Sequence, residues 1–207
     1  MGRLGVAGIP HAFLVDAQGK IVWDGHPGEL SDAIIQKALG GALPKPLFDF
    51  PSGAAAVRTA LAKHNYATAM AEAEKLPEGQ GGADLKKALQ GMISGRVATM
   101  QSALKAGDFL TAVDMGTVLK KDLAGLPEAP EADRVLEQVK GSKEAEPVIA
   151  AQKKIRAMAE QKLGKKTDFE RAMGDLKKIA ADLKGTFAAK EAEDTSAMLT
   201  KRRQQSR

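Results

Sequence analysis

The spacing of apolar positions changes near residue 50 of this 207-residue chain. From residue 52 onward, apolar residues recur every three or four positions and many are alanine, which is typical of closely packed amphipathic helices. Breaks interrupt this pattern at 76–82, 106–108, 125–127, 141, 164–167 and 185. The pattern therefore predicts helices of about ten to twenty residues joined by short turns.

Before residue 50 the pattern predicts a β-hairpin followed by a helix. His11–Asp16 and Ile21–Trp23 are short apolar runs rich in strand formers, and Gly19 lies in the turn between them, where a positive φ is needed. Helical spacing then begins, and Gly40-Gly41 ends it. The apolar positions of this predicted helix are Leu30, Ile34, Ile35, Ala38 and Leu39.

These patterns predict an α+β fold that is predominantly α. The proline-rich stretch 43–51 predicts an extended linker whose Phe48 and Phe50 pack on a neighbouring element. The chain thus divides into a strand-bearing segment at 1–42, the linker at 43–51 and a helical domain at 52–207. Because a two-stranded hairpin is marginal in water, we expect the first segment to lean on the helical domain or on a second copy.

A repeated phrase marks three of the predicted turns. A polar turn leads into an aromatic residue, an alanine follows three positions later, and an aliphatic side chain comes directly after it. Aromatic and alanine would face the preceding helix across a tight hairpin, since alanine lets two helices approach closely. The three aromatic residues are Tyr66, Phe109 and Phe169, and the three alanines are Ala69, Ala112 and Ala172.

Composition narrows the possible chemistry. The chain has no cysteine, which excludes a thiolate nucleophile, a disulfide and a thiolate metal site. Its formal charge of +5 is spread over helices on which both signs alternate, and only 201–207 is a basic cluster without acids. Aromatic residues are too few for nucleic-acid binding to be expected. No apolar stretch is long enough to span a bilayer, and the first residues lack a secretory signal pattern.

Few side chains suggest catalysis. His11, His26 and His64 share no ligand spacing, so neither a metal site nor a cofactor is expected. Carboxylate pairs are predicted to lie on polar helix faces, where they need no catalytic role. These pairs are Glu72 with Glu74, and Glu191 with Asp194.

Small and flexible residues inside the predicted helices indicate how those helices pack. Glycine costs about 1 kcal/mol relative to alanine in a helix, so its presence predicts a close helix crossing. The glycines concerned are Gly91, Gly95, Gly116 and Gly174. Methionines at helical core positions fill gaps between helices or line an adaptable groove, and the sequence leaves both open.

The series Gly8-Ile9-Pro10, then 13–16, then 19–22 is similar to the passage of thioredoxin-like proteins from the cis-proline loop through the last two strands into the final helix. It most resembles the extracytoplasmic bacterial thiol-disulfide oxidoreductases and redoxins, over about residues 5–39. The resemblance implies that Gly8, Ile9 and Pro10 form a substrate-binding loop with a cis bond before the proline. A trans proline at a strand entrance is the alternative.

The half of that fold that carries the Cys-x-x-Cys motif has no counterpart in this chain, which implies a truncated domain. Thiol-disulfide exchange requires a thiolate, so the chain as given is expected to be redox-inactive. A hairpin alone also leaves a sheet edge unpaired, and such an edge invites self-association.

The stretch Ala106–Phe109 resembles the turn between the two helices of a tetratricopeptide repeat, where a Gly-Asp-aromatic step leads into a second helix. The aromatic residues of the three phrases are unevenly spaced, so we predict a repeat-like array. Generic antiparallel helical hairpins are the alternative.

Two functions follow as hypotheses. The first is the carboxyl-terminal portion of a thioredoxin-like redox protein with an appended helical scaffold. The second is a helical, repeat-like interaction module with a vestigial thioredoxin-like segment, which would bind a protein or peptide. The chain is expected to be soluble, and to act outside the cytoplasm if a longer parent carries an export signal and in the cytoplasm otherwise.

Overall fold

The computed structural model describes residues 10–43, 52–161 and 166–205. The fold is α+β and predominantly α, as the sequence predicts: a two-stranded antiparallel sheet accompanies nine α-helices in the described residues. Two short 3-10 turns lie at Pro27–Glu29 and Ser52–Ala54. The strands and helices are β1 (Ala12–Val15), β2 (Ile21–Gly25), α1 (Asp32–Ala38), α2 (Ala55–Ala62), α3 (Tyr66–Glu74), α4 (Gly82–Ala106), α5 (Phe109–Asp122), α6 (Ala129–Gly141), α7 (Ala145–Glu160), α8 (Lys166–Asp182) and α9 (Phe187–Gln205).

The predicted hairpin is confirmed, and its turn is held by one carboxylate. Asp16 Oδ1 accepts hydrogen bonds from the backbone N–H of Gln18 at 3.0 Å and of Lys20 at 2.9 Å. Gly19 has φ +79°, a left-handed conformation that favours glycine. The register shifts between Leu14 and Val15, so the pairing is irregular where the turn begins.

Helix α1 begins at a side-chain cap and ends at a glycine. Ser31 Oγ accepts a hydrogen bond from the N–H of Ile34 at 3.4 Å, which satisfies one free donor of the first turn. After α1, Gly41 takes φ +77° and turns the chain away, so the predicted glycine stop is confirmed. The helix contacts β1 and buries Ala38.

The outer part of this segment exposes large apolar side chains. Val15 is 53% exposed, Val22 46% and Ile21 43%, although all three are strand residues. Leu39, just after α1, is half exposed. Isolated exposed apolar residues are common, but three on so small a sheet leave it with little covered surface.

The hairpin turn rests on helix α4. Gln18 lies against Gly91 and Gly95, and a Cβ added at Gly95 would come within 2.9 Å of the Gln18 Cβ. These two glycines are four positions apart and share one face of the helix, so together they form a notch for the turn. The hairpin therefore contacts the helical region, and its dependence on that region for folding stays a prediction.

The close approach at Gly91 and Gly95 comes from the hairpin turn and not from a second helix, so the helix crossing predicted there is wrong. The other two helix glycines, Gly116 and Gly174, differ from each other. A Cβ at Gly116 would lie 3.1 Å from Leu136, so this position does require a close crossing. The same expectation for Gly174 is wrong, because no described atom lies within 4 Å of where its Cβ would stand. Gly174 occupies an open face of α8, and glycine spacing by itself does not distinguish open faces from crossings.

The predicted helix breaks at 76–82, 106–108, 125–127, 141 and 185 all fall between helices or at a helix end. The chain forms two compact units within the described residues. We call residues 10–101 and 115–136 the amino-terminal unit, and residues 102–114 and 137–205 the carboxy-terminal unit. The linker predicted at 43–51 lies almost wholly outside the described residues, so that domain boundary stays a prediction, as does the packing of Phe48 and Phe50.

Each unit has its own apolar core. In the amino-terminal unit the largest fully buried side chains come from α2, α4, α5 and the residue just after α5, and they are Val57, Leu85, Met100, Leu119 and Leu123. In the carboxy-terminal unit α7, α8 and α9 supply one continuous cluster of buried residues: Val148, Ala151, Ile155, Leu176, Ala188, Ala192 and Leu199. Close-packed alanines on α9 let it approach its neighbours.

Candidate functional site

Each of the three predicted aromatic turns is followed by a helix, and in two of them the helix begins at the aromatic residue, as expected. Tyr66 and Phe109 are the first residues of α3 and α5. Phe169 differs, because α8 already begins at Lys166 and the predicted turn residues belong to its first helical turn. The physical reason is local: the third phrase has no glycine or asparagine to break the helix, and Asp168 is favourable near a helix N-terminus.

The alanine three residues after each aromatic is buried in all three phrases. Ala69 and Ala112 have no exposed surface, and Ala172 is 4% exposed. A larger side chain at these positions would displace whatever packs there. The phrase therefore marks a buried alanine in each case, and the packing of aromatic and alanine against the preceding helix stays a prediction for the array as a whole.

An arginine from a later helix meets the aromatic ring of the first and third phrases. Arg96 on α4 donates a hydrogen bond to Tyr66 Oη at 2.7 Å, and its guanidinium lies 5.6 Å from the ring centroid. Arg203 on α9 lies 4.3 Å above the Phe169 ring. Both distances are within the range of cation–π attraction.

In the second phrase the arginine, Arg156, binds the carboxylate of Asp108 and not the aromatic ring. Asp108 Oδ1 caps α5 by accepting the N–H of Thr111 at 3.2 Å, and it also accepts Nη2 of Arg156 at 2.8 Å and Nε2 of Gln152 at 2.6 Å. Glu191 completes the network, since its Oε1 accepts Nε of Arg156 at 2.9 Å and its Oε2 accepts Nε2 of Gln152 at 3.2 Å. One helix cap is thereby joined to α7 and α9.

Gln152 and Arg156 lie four residues apart on one face of α7, the first fully buried and the second 20% exposed. Gln152 is fully buried, and its Oε1 accepts the backbone N–H of Leu110 at 3.0 Å. Burial by itself lowers the pKa of Arg156. The hydrogen bonds and negative charges of Glu191 and Asp108 raise it by more than burial lowers it, so the pKa of Arg156 lies above its ordinary value. The arginine is therefore a permanent cation held by two carboxylates.

This network corrects one prediction from the sequence. Glu191 was expected on a polar helix face with Asp194, yet its side chain is only 20% exposed and binds Arg156. Asp194, one turn further along α9, is exposed. The other pair, Glu72 and Glu74, does lie near solvent, where Lys75 and Lys86 pair with its two carboxylates.

A groove of about 380 Å³ opens beside the network, within the carboxy-terminal unit. Both apolar and charged residues line it, and they come from the α5 cap, α7 and α9. They are Asp108, Ile155, Arg156, Ala159, Phe187, Lys190, Glu191, Asp194, Thr195 and Met198. Met198 thus lines a groove, which is one of the two roles that the sequence left open for the methionines.

Of the predicted substrate loop, only Pro10 is described. It is exposed and lies two residues before β1, whereas Gly8 and Ile9 lie outside the described residues. The cis bond and the substrate contact implied for this loop stay predictions.

The three histidines lie apart from one another. His11 Nε2 is 3.4 Å from the Asp24 carboxylate, and His26 Nδ1 accepts the N–H of Gly28 at 3.1 Å. His64 occupies the turn before α3 with φ +56°. No group of three histidine, cysteine or acidic side chains suited to a metal ion occurs in the part of the chain that the structure describes.

Comparison with known protein families, with curated proteins and with solved structures finds no match to this chain. Within the described ranges, none of the helices has the length and apolar character needed to cross a membrane.

The arginines are the part of the site that sequence reasoning missed. Arg96, Arg156 and Arg203 stand at no common distance from the aromatic residues of their phrases, so no repeat period identifies them. The sequence does contain one weak indication of a buried polar site: on α7, Gln152 and Arg156 interrupt an otherwise apolar helix face beside Ile155.

Proposed function

We propose that this chain combines the carboxyl-terminal portion of a thioredoxin-like redox domain with an appended helical scaffold. The supporting observation is the exposed apolar surface of the hairpin at Val15, Ile21 and Val22. Such side chains are typical of strands that are covered within a larger sheet. The order β1, β2, α1 is also the order in which thioredoxin-like domains end.

The reading frame upstream of Met1 in the source genome tests this origin. We expect a Cys-x-x-Cys motif in the same frame, flanked by strand and helix patterns that would complete the sheet. A frame without such a motif would contradict the proposal.

The proposal also holds that the chain by itself is redox-inactive, because it has no cysteine to form a mixed disulfide. Reduction of insulin by dithiothreitol, followed as turbidity, measures this. The expected rate equals that of the protein-free blank, and a rate clearly above it would overturn the inactivity.

A second function is supported by the groove beside Arg156: the helical scaffold binds a segment of another protein. Phe187 and Met198 offer apolar contact area, and methionine adapts to different side chains. Lys190 and Asp194 are exposed at the same groove and can pair with polar groups of the segment. We propose a peptide segment that inserts an apolar side chain into this groove.

A pair of neighbouring substitutions on α9 tests the groove. Met198→Glu places a charge in the groove, whereas Ala197→Glu places the same charge on an exposed adjacent position. In affinity capture from the source organism with quantitative mass spectrometry, a groove partner should be lost with Met198→Glu and retained with Ala197→Glu. Equal capture by both variants would exclude the groove as the binding surface.

A further inference from the structure

A second depression in the carboxy-terminal unit lies where α6 ends and α7 begins. Its volume is about 530 Å³, and it is distinct from the groove beside Arg156 because the two share no lining residue. The charged and polar side chains that line it are Lys140, Ser142, Lys143, Glu146 and Lys153.

The charges in this depression do not balance. Three lysines and one glutamate line it, all of them exposed, and none of the three lysines has an ion pair with a carboxylate of the described residues. By contrast, the cation of the neighbouring groove, Arg156, is held by two carboxylates. Like charges gathered in one concave surface repel each other unless an anion is bound between them.

Helix capping explains only part of this arrangement. Lys140 lies in the last turn of α6, where a cation interacts favourably with the helix dipole. Lys153 lies in the middle of α7, so no helix end accounts for it. Ser142, between the helices, is partly buried and lines the same depression, and its hydroxyl is a potential donor.

We propose that this depression binds a multiply charged anionic group of phosphate type. Ammonium groups act as mobile point charges that suit the tetrahedral phosphate, and three of them with one hydroxyl outweigh the single carboxylate of Glu146. The group can be free phosphate or the phosphate of a phosphorylated peptide, since both present the same chemistry. This inference does not rest on the groove or on the hairpin.

The test is an NMR titration of the full chain with inorganic phosphate at constant ionic strength. Saturable shifts of the amides of 140–153 are expected, whereas shifts spread over all lysine-bearing helices without saturation would overturn the proposal. A phosphoserine peptide and its unphosphorylated form, used as a second arm, distinguish the two sources of the group.

Matched variants separate a site from general positive charge. Lys140→Gln combined with Lys143→Gln and Lys153→Gln should weaken phosphate binding by about tenfold or more. The control replaces three exposed lysines of the α8 region, Lys177, Lys178 and Lys184, by Gln and should leave binding unchanged. Equal loss in both variants would overturn the proposal. The single variant Lys153→Glu is the second measurement if the triple variant is unfolded, and binding that survives it also contradicts the proposal.

Discussion

Asp108 is the residue at which local and long-range contacts of the carboxy-terminal unit meet. Its carboxylate caps α5 through Thr111 and also binds Gln152 and Arg156 of α7. Both Asp108 and Arg156 are largely shielded from water, so their charge-assisted hydrogen bonds are stronger than those of a surface pair. The side chain that starts one helix therefore also fixes the position of another.

Two substitutions separate these roles of Asp108. Asp108→Ala removes the cap and the charge and should lower the free energy of unfolding by about 3 kcal/mol, whereas Asp108→Asn keeps a good cap and should cost about half as much. The measurement is urea denaturation. Asp194→Ala is the control, with an expected change within about 0.5 kcal/mol, and an Asp108→Ala variant as stable as this control would contradict the account.

The hairpin and helix α4 illustrate packing between elements of different type. The notch formed by Gly91 and Gly95 accepts the Gln18 turn, which holds a two-stranded sheet that would be marginal alone. The exposed residues Val15 and Val22 show that the helices cover only part of this sheet.

Alanine substitutions at two helix glycines test the notch. Gly95→Ala places a methyl group 2.9 Å from the Gln18 Cβ, and the resulting clash should cost about 1–2 kcal/mol of unfolding free energy despite the better helix propensity of alanine. Gly174→Ala meets no described atom and should stabilise by about 0.5–1 kcal/mol. Thermal unfolding of both variants checks the contrast, and stabilisation by Gly95→Ala would show that the turn does not rest there.

Across the whole molecule, the sequence predicts the elements better than it predicts the site. The hairpin, its Gly19 turn and most helix breaks follow from period and from glycine chemistry, which act over a few neighbouring residues. The three buried alanines also follow from the repeated phrase. These features could be predicted because each depends on local sequence.

The site could not be predicted in the same way, because its contacts join distant helices. Glu191 looks like any polar helix residue in sequence, and only the packing of α9 beside α7 brings it to Arg156. The pattern places the start of α8 at Phe169, whereas the helix begins at Lys166. The reason is that the phrase at Phe169 lacks the helix-breaking residue that the other two phrases have. The sequence pattern thus does not predict contacts between distant helices, nor a helix boundary that no helix-breaking residue marks.

The central claim is that the strand-bearing segment does not fold independently and is held by the helical scaffold. Amide hydrogen exchange of the full chain and of a peptide of residues 1–42 tests it most directly. We predict protection of the hydrogen-bonded amides of β1, β2 and α1, those of Ile35 and Leu39 among them, in the full chain and none in the peptide. Strong protection in the peptide, or no protection of these amides in the full chain, would contradict the claim.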